Sequence, residues 1–250
     1  MSRSEAVEAR TIPRLTAGQL HDLARSASER YVNLLPQLDE AQWALPTDCT
    51  LWTVREIALH QVAVAESWSS IPELLRQYLI GVPETVRLKG LPVDGANAVG
   101  VRDRSHLSRS ELLQRTRLSQ ERILAVRRNS GPVVRAIPLP SGPLGWITVG
   151  DLFDIILTRD TWTHRLDICR ATGLTFEIDP ERDREFVADL VREWAGRHGK
   201  PFELVLTGPA GRVYTSGSGG ERIEIDAVEF ARTLSGRAPG QGLLAQQVLF

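Results

Sequence analysis

The sequence predicts an α+β chain: a four-helix bundle followed by a small mixed domain. Three observations carry this. Four segments open with the same helix-starting signature. A connection too long for a simple helical turn lies between the second and the third. Beyond Gly173 the texture changes to short strand-like runs between Gly, Pro and Ser turns.

The signature is a capping box flanked by apolar residues that staple the entering chain. It reads Leu15-Thr16-x-x-Gln19-Leu20, Trp52-Thr53-x-x-Glu56-Ile57, Leu107-Ser108-x-x-Glu111-Leu112 and Ile147-Thr148-x-x-Asp151-Leu152. The box satisfies two backbone donors that the first turn leaves orphaned, so each match marks a helix start. Stops follow at Gly81 with Pro83, at Gly131 with Pro132, and at Gly173. The expected helices are 16–44, with a break near Pro36, then 53–80, 108–129 and 148–172. Apolar residues at helical spacing, such as Leu112, Leu118 and Ile123 on the third, predict helices packed on one another.

Helices one and two are joined by a short link and should be antiparallel. The next connection, "GVPETVRLKGLPVDGANAVGVRDRSHL", exceeds usual helix–helix links and is long enough to cross the bundle. That predicts an up-down-down-up order, with helices two and four antiparallel. Past residue 175, "DPERDREFVADLVREWAGRHG" reads as a surface helix. "FELVLTG", "GRVYTSG" and "ERIEID" read as strands, and "AVEFARTLSGR" as a last helix. The expected domains are 1–175 and 176–250.

Composition bounds the function. The chain has 250 residues, 42% hydrophobic and 24% charged, an ordinary globular make-up. A net charge of −1 gives no pull toward nucleic acid or anionic membrane. The start "MSRSEAVEARTIPRL" lacks the apolar core of a signal peptide, and no apolar run is long enough to span a membrane. A cytoplasmic protein is expected, a monomer or homodimer. Cys49 and Cys169 form no paired framework and are expected to be thiols.

The chemistry concentrates in "TRDTWTHRLDICRATG". Asp160 and His164 lie four residues apart, so they project from one helical face. A third ligand is available at His60 in "WTVREIALHQ". His60 lies roughly 10 Å into its helix, while in an antiparallel neighbour Asp160 and His164 come to roughly 18 and 12 Å from the same end. Two imidazoles and one carboxylate suit zinc with an open position, and nickel or iron(II) would also be tolerated. Spacing alone leaves a second reading open, in which His60 is a hydrogen-bonded core residue and Asp160 pairs with Arg159 or Arg165. Trp162 points elsewhere on the helix and reads as packing. His21, His106 and His198 have no partner pattern. Cys169 faces away from Asp160.

"WTVREIALH", "RDTWTHRLDICRATG" and "LTGPAG…FARTLSGR", in that order, resemble the mycothiol-dependent maleylpyruvate isomerase family across nearly the whole chain. The resemblance implies a DinB/YfiT-like metal-binding four-helix domain and a small sterol-carrier-like C-terminal domain. It implies a divalent metal, usually Zn2+, on His60, Asp160 and His164, with mycothiol as thiol cosubstrate. The thiol adds to an activated double bond, the bond rotates and the thiol leaves. Related enzymes stop at S-transfer to an electrophile. Arg237 matches the family's C-terminal Gly-Arg position and would clamp a substrate carboxylate. Asp167, one turn past His164, would support its ring from behind. One position departs: Asp160 stands where the family prototype has Glu, so the metal must sit closer to the fourth helix or be held less tightly. A thiol-independent hydrolase or cyclase on the same residues, and a non-catalytic metal- or ligand-binding protein, are the alternatives.

Overall fold

The computed structural model describes residues 6–141 and 145–250. Residues 1–5, part of the stretch read above for a signal peptide, and residues 142–144 lie outside the described residues. The chain divides into two compact units, one of Ala24–Thr175 and one joining the chain up to Leu23 with Phe176–Phe250. The expected first domain began at residue 1. Its opening stretch instead groups with the C-terminal residues, because Val7–Glu8 is a strand of their sheet.

The helical unit holds most of α1 (Ala17–Leu34), then α2 (Val54–Trp68), α3 (Ile71–Leu88), α4 (Pro92–Arg104), α5 (Arg109–Asn129) and the short α6 (Pro132–Arg135). A hairpin of β2 (Pro138–Pro140) and β3 (Trp146–Thr148) follows. The last helix starts as α7 (Val149–Asp151), passes through one wide π turn at Leu152–Ile156, and continues as α8 (Leu157–Thr172) to Gly173 at φ 73°. All four predicted caps form. Thr16, Thr53, Ser108 and Thr148 each accept a hydrogen bond from the amide three residues on, and Gln19, Glu56, Glu111 and Asp151 each accept the reciprocal one.

Three expectations are corrected. The predicted helix over 53–80 is two helices. Although α3 carries Pro83 in its interior, proline is best accommodated in a first turn, where Pro72 owes no amide to the Trp68 carbonyl and its ring meets no preceding turn. The chain therefore stops at Ser69 and restarts with Pro72 in the first turn of α3. Gly81 and Pro83 do not end that second segment, which runs to Leu88 and stops at Lys89 with φ 51°. Gly81 serves close packing instead: a Cβ there would lie 2.6 Å from the backbone of Gly95 on α4, and one on Gly95 would lie 2.2 Å from the carbonyl oxygen of Gly81. The supposed long connection thus contains the end of α3 and the whole of α4. Finally, Leu118 is 56% exposed and does not face the core. The inner face of α5 carries Leu112, Thr116, Ser119, Gln120, Ile123 and Arg127.

α2 is the central helix, buried around most of its circumference and packed on α3, α4, α5 and α8. Ala65, Ile123, Val149, Phe153 and Leu157 form a core where α2, α5 and the last helix meet, with Trp68 edge-on to Phe153. Arg104, 4% exposed, binds Glu66 at 2.6 Å and Glu73 at 3.0 Å, joining α4 to α2 and α3. No helix among the described residues is long and apolar enough to cross a membrane.

The other unit carries β1 (Val7–Glu8), α9 (Arg182–His198), β4 (Phe202–Thr207), β5 (Val213–Ser216), β6 (Glu221–Asp226) and α10 (Ala227–Leu234). The sheet order is β1-β5-β4-β6, with β5 antiparallel to β4 while β1–β5 and β4–β6 are parallel. The 217–220 loop crosses the start of β4 so closely that a Cβ on Gly220 would sit 2.0 Å from the carbonyl oxygen of Pro201. The helix expected at the surface, α9, buries Phe186, Val187, Leu190, Val191 and Trp194. Its many outward charges had hidden that stripe. Trp194 meets Phe202 at 4.8 Å and Phe230 at 5.5 Å between ring centres and donates its indole N–H to the carbonyl of Leu243.

Candidate metal centre

The Thr53 cap fixes where α2 begins, and His60 follows two turns in. Asp160 and His164 lie one turn apart in α8. Together they form a cluster whose ligand atoms all fall within 4.8 Å of one another. His60 Nε2 stands 3.4 Å from Asp160 Oδ2, and His164 Nε2 stands 3.2 Å from Asp160 Oδ1. The histidines are buried, while the Asp160 side chain keeps 23% of its surface.

Each contact uses a different oxygen of the carboxylate, and each is close to the spacing of neighbouring donors around a cation. Metal–ligand bonds of about 2.0–2.1 Å opened at the tetrahedral angle place neighbouring donor atoms about 3.3–3.4 Å apart. The shorter Asp160 carboxylate reaches both imidazoles without a glutamate's extra methylene. Behind it, Asp167, fully buried, bonds Nδ1 of His164 at 2.9 Å. That contact leaves Nε2 on the cluster side, the carboxylate–histidine arrangement that orients metal-binding imidazoles.

Three residues that spacing did not reveal complete the surroundings. Gln61 donates from Nε2 to Asp160 Oδ2 and accepts from the Thr161 hydroxyl at 3.0 Å, which holds the carboxylate in place. Trp52 lies 4.3 Å from the His60 ring and 5.8 Å from the His164 ring, and it also borders a hollow of about 880 Å³ with Trp43, Arg55 and Arg109. Its place just before the Thr53 cap was the one available signal. Tyr31 of α1 is fully buried, and its hydroxyl has no hydrogen-bond partner among the described residues.

Charge is concentrated here. Burial alone would raise the Asp160 carboxyl, but His164 and His60 outweigh it and hold it well below the usual carboxylate range. Burial works against the charged form of His164, yet Asp160 and then Asp167 push it up to about 9. Burial raises the Tyr31 phenol, and the charge of Asp160 adds to the effect.

The match to known proteins decides the family. The model of the mycothiol maleylpyruvate isomerase N-terminal domain matches residues 24–169, more than half of the chain. The chain belongs to this family. Two solved structures share its fold: the mycothiol-dependent maleylpyruvate isomerase, at 17% identity, and a histidine-to-alanine mutant of that enzyme, at 16%. In both, 91% of this chain aligns with 92% of the other at a TM-score of 0.59. A comparison with curated proteins finds no match. The family's architecture, a DinB-like helical domain with a C-terminal α+β domain, is the one seen here.

Within this isomerase-family fold, the remaining sequence candidates lie as follows. Arg237 belongs to the other unit, just after α10, on a hollow of about 450 Å³ with Gly236, Pro239 and Gln247. Trp162 is buried packing. His106 is exposed, His21 and His198 are half-buried, and none of the three joins the cluster. Cys49 and Cys169 are not bridged.

Proposed function

We propose that this chain is a divalent-metal enzyme, with zinc as the metal. It activates a low-molecular-weight thiol, mycothiol, for isomerisation of, or S-transfer to, a small electrophilic carboxylate substrate. The observation that carries this is the His60–Asp160–His164 cluster, backed by the Asp167 bond, inside a fold of the mycothiol maleylpyruvate isomerase family.

His60, His164 and Asp160 would hold the ion, and a bound zinc would supply the field that keeps a thiol deprotonated at neutral pH. Asp167 keeps the His164 ring turned so that Nε2 stays on the cluster side. Gln61 keeps Asp160 from swinging away. Trp52 covers the imidazoles on one side, and the hollow it borders is wide enough for the body of a small thiol. Arg237 is assigned to clamp a substrate carboxylate, because a guanidinium presents two parallel donors and does not titrate.

The test is metal analysis of purified protein combined with a turnover assay on maleylpyruvate, with and without mycothiol. Near-stoichiometric metal, its loss in His60→Ala, and thiol-dependent turnover are expected. Wild-type protein that never holds metal would sink the proposal. Turnover independent of thiol would point to a hydrolase or cyclase on the same residues.

A further inference from the structure

α2, α5 and α8 enclose a narrow cavity of about 10 Å³ beside the cluster, lined by Gln61, Asp160 and Thr161 and, from α5, by Gln120 and Arg127. That is room for about one water-sized oxygen. The α5 wall is unusual for the inside of a helical bundle. Thr116 and Ser119 turn their hydroxyls back to their own helix, onto the carbonyls of Leu112 and Thr116. Gln120 and Arg127 do not. The Gln120 carbonyl oxygen accepts a hydrogen bond from the Ser28 hydroxyl at 3.1 Å, which leaves its amide NH2 as the other end of the group.

Arg127 is 8% exposed. Its guanidinium makes one hydrogen bond, to the Thr158 hydroxyl at 2.6 Å, and has no carboxylate within 4.0 Å among the described residues. The acid whose charge reaches it, Asp154, is bound by Arg135. Burial, partly offset by Asp154 and reinforced by Arg135, pulls Arg127 down to about 10, so it stays cationic at neutral pH. A buried cation without a carboxylate at its side is strongly unfavourable to the fold, and one that lines a cavity can be met there by an anion from outside.

We propose that Arg127 and Gln120 form an oxyanion subsite, which takes one oxygen of a substrate carboxylate next to the metal cluster. This subsite presupposes the metal-dependent function proposed above. It places a carboxylate contact inside the helical unit, separate from Arg237. The cavity admits a single oxygen, for which the guanidinium and the amide are the donors on the α5 side, while the larger part of the substrate stays outside.

Titration calorimetry of the full-length protein with maleate, a cis dicarboxylate, tests it, run on metal-loaded and metal-stripped samples and with dimethyl maleate as the uncharged control. Arg127→Met is expected to weaken maleate binding tenfold or more and to keep or raise Tm, since it removes a buried unpaired charge. Arg127→Lys should restore part of the binding, Gln120→Leu should weaken it less than Arg127→Met, and dimethyl maleate should not distinguish the variants. Maleate binding that is absent in wild type, or equal in wild type and Arg127→Met, overturns the subsite. A lower Tm in Arg127→Met with maleate binding unchanged in the folded fraction would make Arg127 structural and likewise overturns it. Metal content and thiol dependence are read separately, so failure of the metal-enzyme function leaves a distinct signature from failure of the subsite.

Discussion

Asp167 has no surface and touches His164 where a metal ligand is usually steadied from behind. Asp167→Asn keeps the shape and removes the charge. It should weaken metal binding about 10–100-fold with little change in fold, measured by competition with a chelator. Unchanged affinity would mean that the Asp167 bond serves packing alone. The three cluster residues were legible in the sequence for a simple reason. A spacing of four fixes a shared face, and a cap fixes a depth. Trp52, Gln61 and Arg127 were not legible, because their parts depend on which helices face each other across the bundle. Arg127 carries no local pattern at all: in the sequence it is one arginine among many, and only burial sets it apart.

At the level of elements, starts were easier to read than stops. A capping box is a chemical event within four residues, and all four formed. A glycine has two uses, ending a helix or letting another backbone approach, and the residue alone does not say which. Gly81 and Gly95 are of the second kind. Gly95→Ala should lower stability by about 1–3 kcal/mol in urea unfolding, because the new methyl meets the Gly81 carbonyl oxygen as well as the Thr85 hydroxyl, and the backbone of α3 cannot turn aside as a side chain can. No loss would mean that α3 and α4 can part cheaply. The same helices carry an ionic tie. Hydrogen bonds from Arg76, opposed by burial, hold the Glu73 carboxyl at about 2. An acid lowered on folding adds stability that is fully present above its unfolded value of about 4.3 and is lost as pH falls toward 2. Wild type should therefore lose more Tm than Glu73→Gln between about pH 6 and pH 3. Parallel declines would assign the acid sensitivity to other groups.

For the whole molecule, the change of texture after Gly173 signalled a second unit, but the contribution of the chain's opening residues to it was invisible. Two residues are too short a run for any periodicity, and β1 pairs with a strand about 200 positions away. Deleting residues 1–14 should leave metal content unchanged while the amides of Val213–Ser216 exchange faster, read by hydrogen exchange with mass spectrometry. Equal protection would show that β5 does not need its neighbour. The pairing of Val7 with Tyr214 also sets a timetable. A ribosome adding about 5–20 residues per second makes Val7 wait roughly 10–40 s for its partner. By then Ala24–Thr175 has been synthesised, so the helical unit can settle before the sheet can close. A strand of two residues is suited to that delay, for it offers too few unpaired amides to recruit a wrong neighbour while it waits.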